Sequence, residues 1–327
     1  MAELTPISKL LEYKDVSLLT LAQLDDHSLL SFCLTNKDNA RLCDDETFWM
    51  NRLISKYGSG VASLKDPSRS WKNFYLNIVH YDEKYYPNKA LELVSKRGDN
   101  DLINFFLSKG ANDWDLGMKG AAEAGNTNLV NFFIEKGATN WDLGMRAAAL
   151  GGHKKLVKFF LKIGKGRVLF DNGMAEAAKG GHKKLMKFFI KKGADGWNYG
   201  MYGAAVSGDL DLVKFFIDKR ARDWEWGMYG AAEGGHLDLV KFFIKNGARD
   251  FNLGMQGAAE GGHLELVKFF INKGANNWNM GLIKAVEGGH LELVKFFLDK
   301  GASDPYALRK AQNVGDKEII KLLHEKL

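Results

Sequence analysis

Five histidines occupy the same place in a recurring pattern of the chain, each directly after a glycine. Imidazole binds metals and transfers protons near neutral pH, so a regular series of histidines raises the question of a metal site. Helices that pack side by side lie ~8–10 Å apart, whereas zinc needs its ligand nitrogens at ~2 Å. Histidines of neighbouring units would not share an ion, and we expect structural hydrogen bonds instead. The five are His153, His182, His236, His263 and His290.

The rest of the sequence holds no arrangement typical of an enzyme. It has no glycine-rich phosphate loop, no Cys and His at metal-ligand spacing, and no serine in a nucleophile elbow. Acidic residues recur only at positions expected on helix surfaces. The sequence therefore predicts a protein without catalytic activity, cofactor or metal.

Cys33 and Cys43 are the only cysteines in 327 residues. This is too few for a disulfide framework or a zinc cluster, and we interpret both as small buried hydrophobic residues in a reducing compartment. No apolar run approaches the ~18 residues of a membrane span, and acidic residues near the N-terminus argue against a secretion signal. We therefore expect a cytoplasmic or nuclear protein with no membrane partner.

A pair of phenylalanines returns along the chain every 27 residues, with a single longer step of 29 between Phe159 and Phe188. Such a period indicates a repeat architecture. Each unit reads as two helices, and a pair this small buries its apolar stripe only when the next pair covers it. The pattern predicts an all-α solenoid. The pairs begin at Phe105, Phe132, Phe159, Phe188, Phe215, Phe242, Phe269 and Phe296.

One unit illustrates the expected local structure. A short first helix over 254–260 ends in an Ala-Ala pair, which lets another backbone approach closely. Two glycines then supply a turn that needs unusual backbone angles. The second helix places Leu266, Phe269 and Phe270 on one face, and Gly274 suits a left-handed C-cap.

The stretch AAEGGHLELVKFFINKGAN, which begins at Ala258, resembles the ankyrin repeat. It has that family's Ala pair, Gly-His turn, apolar helix and terminal Gly-Ala. Ankyrin units run about 33 residues, so these units lack about six, in the segment where the family forms a β-turn finger. The resemblance covers residues 88–327 and implies eight to nine ankyrin-like repeats with shortened fingers. It also implies a monomer that binds protein partners.

One aromatic residue per unit comes before the first helix and could stack on nucleic-acid bases. Because the column lies where the fingers are missing, we instead expect these rings to fill that space and pack loop on loop. The column comprises Trp114, Trp141, Phe170, Trp197, Trp224, Phe251 and Trp278.

Residues 1–60 resemble an F-box. The stretch LAQLDDHSLLSFCLTNKD, from Leu21, is followed by DDETFWMNRL, and the Leu-Asp, Ser-Leu-Leu and Phe-Trp elements keep that family's order and spacing. The family's usual Leu-Pro pair is replaced by Glu12-Tyr13-Lys14. The resemblance implies a small helical domain, followed by a linker or capping segment over 61–87, that docks on the Skp-family adaptor of a cullin ubiquitin ligase. The implied adaptor-binding residues are Leu18, Leu19, Leu24, Leu29, Leu30 and Trp49.

The units differ mainly at two positions, after the Gly-Met pair and before the Gly-Gly turn. In the ankyrin frame both positions face the concave groove where partners bind. Exposed aromatic residues gathered in one patch are typical of binding hot spots, although local packing without a partner would give the same pattern. The predicted target-binding residues are Tyr199, Tyr202, Val206, Trp226, Tyr229, Lys179 and Arg146.

The net charge of +6 is unevenly distributed, because residues 151–195 contain 12 Lys plus Arg and only 3 Asp plus Glu. A basic region of this kind attracts acidic proteins or nucleic acid, or serves only to keep a helix surface hydrated. We do not expect a nucleic-acid partner.

The two modules together suggest the substrate-recruiting subunit of a cullin-type ubiquitin ligase, with the target held in the groove. This layout resembles ankyrin/F-box proteins of giant and other large DNA viruses, which implies a viral protein acting in the host cell. The alternative is an ankyrin scaffold in which the head serves only as a structural cap.

Overall fold

The computed structural model describes residue 18 and residues 21–35, 37–164 and 169–327. These residues form helices, and the β-contact among them is one isolated bridge. They fall into two compact units, residues 1–83 and residues 84–327, here called the head and the repeat unit. None of the helices found in the described ranges has the length and apolar character needed to cross a bilayer.

The described part of the head contains four α-helices and a 3₁₀ helix. Asp45 starts the third α-helix, because its side chain accepts a hydrogen bond from the backbone N–H of Phe48 at 2.9 Å. The fully buried Trp49 donates from Nε1 to the Cys43 carbonyl at 2.7 Å. The elements are α1 Asp26–Thr35, α2 Lys37–Leu42, α3 Glu46–Tyr57, the 3₁₀ helix Ser59–Leu64 and α4 Trp71–Lys84.

A polar cluster around Asp26 ties α1 to α3 and α4. The carboxylate accepts from Arg52 at 2.8 Å, from Lys56 at 2.7 Å and from the Tyr75 hydroxyl. Burial disfavours the charged form of Asp26, but hydrogen bonds from these three groups outweigh it and lower its pKa. Burial, together with the Asp26 hydrogen bond, raises the pKa of Tyr75 to about 12.

The two cysteines form a disulfide, which corrects the prediction of separate thiols. Both side chains are buried as expected. The Cα atoms of Cys33 and Cys43 lie 5.8 Å apart, within the range for a disulfide. Their separation of ten residues in the sequence gave no sign of this proximity.

The repeat unit consists of successive helix pairs, and we call the first helix of each pair inner and the second outer. In the described residues the inner helices are α5 Pro87–Arg97, α7 Trp114–Glu123, α9 Trp141–Leu150, α11 Phe170–Lys179, α13 Trp197–Val206, α15 Trp224–Glu233, α17 Phe251–Glu260, α19 Trp278–Gly288 and α21 Pro305–Val314. The outer helices are α6 Asn100–Ser108, α8 Thr127–Lys136, α10 Lys154–Gly164, α12 Lys183–Lys191, α14 Leu210–Asp218, α16 Leu237–Lys245, α18 Leu264–Asn272, α20 Leu291–Asp299 and α22 Lys317–Lys326.

The inner helices pack closely on one another. A Cβ added at Gly120 would lie 2.1 Å from the Glu92 carbonyl oxygen of the preceding inner helix, so only glycine permits this approach. Likewise, a Cβ added at Gly203 would lie 2.2 Å from the Ala175 carbonyl oxygen of the preceding inner helix. The outer helices are held chiefly by the inner helix of their own pair. The inner helices therefore lie on the concave side of a curved solenoid, as the sequence predicted.

The two phenylalanines of each pair have different environments. The second ring is fully buried between inner and outer helices, whereas the first is half-buried from Phe132 onward. Glycine in the inner helix makes room for the second ring: a Cβ at Gly227 would lie 2.2 Å from Cε1 of Phe243. The fully buried second rings are Phe106, Phe133, Phe160, Phe189, Phe216, Phe243, Phe270 and Phe297.

In the first eight inner helices, a polar side chain at the second position fixes the loop of the next repeat. Asp115 Oδ1, for example, accepts from the backbone N–H groups of Thr139 and Asn140, both at 2.8 Å. These bonds hold the short loops that replace the fingers. The eight acceptors are Asn88, Asp115, Asp142, Asp171, Asn198, Glu225, Asn252 and Asn279.

The aromatic column belongs to the inner helices and not to the loops, which corrects the sequence interpretation. The helix expected over 254–260 begins at Phe251, because Asp250 caps it by accepting from the Leu253 N–H at 2.9 Å. The other members of the column likewise occupy the first helical position, and all of them are half-buried.

The first and last repeats contact each other. The backbone N–H of Tyr86 donates to the Gly315 carbonyl at 2.9 Å, and Tyr85 forms an antiparallel bridge with Asp316. The Lys317 ammonium lies 5.6 Å from the centre of the Tyr86 ring. The last repeat therefore returns to the first, a contact that the sequence pattern did not predict.

The closing contact differs from the contact between neighbours. In adjacent repeats the ends of inner helices meet, as when the His153 ring binds the Glu123 carbonyl. At the closure, the beginning of α5 meets the end of α21. The offset corresponds to one inner helix, about 15 Å for ten residues. The repeat unit thus completes one turn of a spiral.

Candidate functional site

The recurring histidines link consecutive repeats. In each case Nε2 donates to the carbonyl of the last residue of the inner helix in the preceding repeat, at 2.9–3.1 Å. Carbonyls at helix ends lack partners within their own helix, so these bonds satisfy groups that would otherwise be unpaired. The structural role predicted for the histidines is confirmed. In the described ranges no three metal-binding side chains come together.

At the start of the repeat unit, side chains at equivalent positions of neighbouring inner helices pair across the inner face. Lys119 pairs with Glu92 at 2.7 Å, and Lys96 pairs with Glu123 at 2.7 Å. Burial disfavours ionised Glu92, but Lys89 and Lys119 outweigh that effect and lower its pKa. Each of these side chains therefore has a partner of opposite charge one repeat away.

Glu233 connects three repeats. Its carboxylate binds Lys179 at 2.7 Å, two inner helices away, and also accepts from the Tyr202 hydroxyl. Burial disfavours the charged form of Lys179, yet the neighbouring carboxylates, Glu233 first, raise its pKa. Burial and the Glu233 charge also raise the pKa of Tyr202. The strong curvature of the inner face brings these groups within reach.

The same arrangement continues in the next repeats. The Tyr229 hydroxyl donates to Glu260, which also pairs with Lys284 at 3.1 Å. Burial and the Glu260 charge raise the pKa of Tyr229. The Lys284 ammonium lies 5.8 Å from the centre of the Tyr229 ring. Much of the predicted groove is therefore occupied by contacts of the protein with itself.

A cavity of about 420 Å³ remains open on this face, across four consecutive inner helices. Tyr199 is 60% exposed and Trp226 is 48% exposed at its edge. The ring centres of Tyr202 and Trp226 lie 5.8 Å apart in an edge-to-face arrangement. The lining residues are Arg146, Asn172, Ala175, Glu176, Asn198, Tyr199, Tyr202, Asp223 and Trp226.

Four of the predicted target-binding residues line this cavity, namely Arg146, Tyr199, Tyr202 and Trp226. The other three lie elsewhere. Tyr229 is only 4% exposed and packs beneath Trp226, with ring centres 5.2 Å apart. Lys179 is engaged by Glu233, and the carbonyl of Val206 accepts from a histidine of the next repeat.

Sequence reasoning missed the polar half of the cavity. Asn172 and Asn198 occupy the third and second positions of their inner helices, and Asp223 caps the helix that carries Trp226. Glu176 binds Arg146 at 3.0 Å. In the sequence, an acidic or amide residue follows the aromatic residue in most repeats. This recurrence indicates that such residues belong to the inner helices, but it does not indicate that some of them line a cavity.

The residues implied in adaptor binding lie in different environments. Leu29 and Trp49 are fully buried in the head, so a partner cannot reach them in this structure. Leu18 and Leu24 are half-buried, and Leu30 is 37% exposed. Leu34, which is not among the implied adaptor-binding residues, is 86% exposed. Leu19 and residues 12–14 lie outside the described residues.

Comparison with known proteins supports the ankyrin resemblance of part of the repeat unit. Residues 228–307 match the family model "Ankyrin repeats (3 copies)". The ankyrin match spans less than half of the chain, and no curated protein matches it. The crystal structure of the human ASB11 ankyrin repeat domain is similar, with 17% identity and a TM-score of 0.30 over 56% of this chain and 97% of that one. Ankyrin repeats are protein–protein interaction modules.

Proposed function

We propose that this protein holds a protein target in the inner-face cavity of its ankyrin repeats and presents it to a cullin-type ubiquitin ligase through its head. The exposed Tyr199 and Trp226 beside a cavity carry the first half of the proposal. Large aromatic side chains at the edge of a pocket are the residues that dominate binding energy in protein interfaces. Most other variable residues on this face already have partners within the protein.

The cavity is tested by comparing which proteins the chain retains from cells. We expect a specific protein to bind the full chain and to be lost when Tyr199→Ala and Trp226→Ala are combined, since hot-spot residues contribute about 2 kcal/mol or more. Tyr306 is 41% exposed on α21 and does not line the cavity. Tyr306→Ala is therefore the matched control. Equal retention by both variants would contradict the target site.

The second half of the proposal rests on the resemblance of the head to an F-box and on its exposed leucines. Leu30 and Leu34 lie four residues apart on α1, on one side of the helix, and both reach solvent. Apolar side chains on one side of a helix suit a hydrophobic partner such as the Skp-family adaptor. On the same resemblance we infer a viral protein that acts in the cytoplasm or nucleus of a host cell.

Purified adaptor provides the direct test. We expect Leu30→Asp combined with Leu34→Asp to abolish adaptor binding and co-purification of the cullin. Leu237→Asp is the control, because Leu237 is 38% exposed in the repeat unit and so resembles Leu30 in exposure. An intact protein that retains no adaptor would leave the alternative, an ankyrin scaffold whose head is a structural cap. Deletion of the head would then preserve target binding and the biological effect.

A further inference from the structure

Two neighbouring outer helices, α10 and α12, carry lysines and no acidic residues. All of these lysines are exposed, and those in the first turns lie beside the turn that follows the inner helix. Together they account for most of the positive charge in residues 151–195. We call this surface the lysine face. It comprises Lys154, Lys155, Lys158 and Lys162 of α10, and Lys183, Lys184, Lys187, Lys191 and the adjoining Lys192 of α12.

The charges in the first turns act against helix stability. The backbone places partial positive charge at a helix N-terminus, so acidic residues are favourable there and lysines unfavourable, by about 0.3–1 kcal/mol each. Most other outer helices follow this rule with an acid at the second position: Asp101, Asp211, Asp238, Glu265, Glu292 and Glu318. α10 and α12 have Lys155 and Lys184 instead. Departures from a local rule that the rest of the chain obeys are expected at functional sites.

The two helices form one continuous surface. The Lys154 ammonium, in the first turn of α10, lies 5.5 Å from the centre of the Phe188 ring on α12. This contact crosses from one repeat to the next. On the far side, Lys183 pairs with Asp209 of the following repeat at 2.7 Å, which marks where the positive surface ends.

The extent of the lysine face determines which partner fits. The helices are 9 and 11 residues long, so each spans roughly 13–16 Å, and they lie about 10 Å apart. The excess of positive charge is confined to these two helices, because Glu135 balances Lys136 on α8, and Asp211 and Asp218 offset Lys214 on α14. A nucleic-acid strand or duplex extending over the neighbouring repeats would therefore gain no further net attraction there. The phenylalanines of α10 and α12 are half-buried or buried, so no exposed ring is available for base stacking.

We propose that the lysine face binds a short acidic segment of a partner protein. A segment of several Glu or Asp residues matches the face in charge and in length, and its carboxylates also meet the positive ends of both helices. This surface lies on the outer helices, whereas the cavity lined by Tyr199 and Trp226 lies on the inner ones. The two sites therefore lie on different helices.

The test uses variants in which the first turns of α10 and α12 are replaced by the Leu-Asp pair that begins α14. The lysine-face variant carries Lys154→Leu, Lys155→Asp, Lys183→Leu and Lys184→Asp. The control changes the same number of lysines to the same residue types on α14, α16, α18 and α20: Lys214→Asp, Lys241→Leu, Lys268→Asp and Lys295→Leu. Both variants have the same net charge, so any difference between them reports position and not total charge.

Binding of a fluorescent decaglutamate peptide and of an oligothymidylate of equal charge is measured by anisotropy at several salt concentrations. We expect the full chain to bind the peptide more tightly than the oligonucleotide, with affinity that falls as salt rises. The lysine-face variant should lose about tenfold or more in affinity, and the control about twofold or less. The lysine-face variant should also melt at the same or a higher temperature, because acids now occupy the first turns.

Three results would overturn the proposal. They are absence of peptide binding at low salt, equal losses in the lysine-face and control variants, and tighter binding of the oligonucleotide than of the peptide. The first two would mean that the lysines serve only to hydrate the surface. The third would identify a nucleic-acid site.

Discussion

Replacement of Gly227 by alanine tests the packing between inner and outer helices. Gly227 lies within α15, where alanine is intrinsically favoured over glycine by about 1 kcal/mol. The added Cβ would lie 2.2 Å from Cε1 of the buried Phe243 ring, far inside the ~3.5–4.0 Å of a normal carbon contact. Overpacking of this kind costs about 1–3 kcal/mol. We expect the upper part of that range, and hence a net loss of roughly 1–2 kcal/mol.

The same substitution should have the opposite sign when the ring is absent. The three atoms nearest to the added Cβ all belong to Phe243. Phe243→Ala alone should cost about 3–5 kcal/mol, as for other buried phenylalanines. In that background Gly227→Ala should recover about 1 kcal/mol, because only the helix preference remains. The coupling between the two sites is therefore about 2–3 kcal/mol.

Urea unfolding of the four proteins in this double-mutant cycle measures the effect. Circular dichroism and tryptophan fluorescence should give coincident transitions, which checks that the repeats unfold together. Phe242→Ala is the control, because Phe242 belongs to the same pair but is half-buried. It should cost less than Phe243→Ala and should not couple to Gly227. An effect of Gly227→Ala with the same sign in both backgrounds would refute the packing argument.

Three further predictions concern single residues. Arg220 has a φ of 75°, the one positive φ at a non-glycine residue in the described part of the chain. Arg220→Gly should therefore raise the free energy of unfolding by about 1 kcal/mol. Gly301 also has a positive φ, of 87°, and Gly301→Arg should lower the free energy of unfolding by a similar amount. Asn252→Ala removes the acceptor of two loop N–H groups and should cost about 1–2 kcal/mol in urea unfolding, whereas Asn252→Asp should retain most of that stability. The pKa of Glu92 is lowered in the folded protein, so ionised Glu92 stabilises the fold at pH values above its ordinary pKa of 4.5, and this stabilisation is lost as pH falls through the folded pKa. Glu92→Gln should therefore flatten the acid side of the curve of unfolding free energy against pH. An unchanged curve would contradict the ion pair between Glu92 and Lys119.

The repeat architecture was predictable because period and composition determine it. Contacts within one repeat and with its neighbour determine the structural roles of the Phe-Phe pairs, the Gly-His turn and Gly274. Gly274, for example, takes the positive φ of 102° that the C-cap requires. The inner helices were placed three residues late because the capping role of Asp250 depends on where the preceding loop ends.

The site was less predictable because it depends on distances of more than one repeat. Position in the ankyrin frame placed Tyr202 and Tyr229 on the concave face, but it did not reveal that one lines a cavity and the other lies beneath Trp226. The contact between Lys179 and Glu233 spans two repeats and follows from the curvature. No local pattern encodes curvature, and the closure of the first repeat on the last escaped prediction for the same reason.

Contact between the first and last repeats gives the number of repeats a structural meaning. In an open array, duplication or loss of a repeat changes only the length, since each repeat depends on its immediate neighbours. Here one extra repeat would carry Gly315 past Tyr86, and one fewer would leave it short, so that the bond between them could not form without a change in curvature. Evolution of this chain by duplication would have had to stop, or to adjust every interface, once the turn was complete.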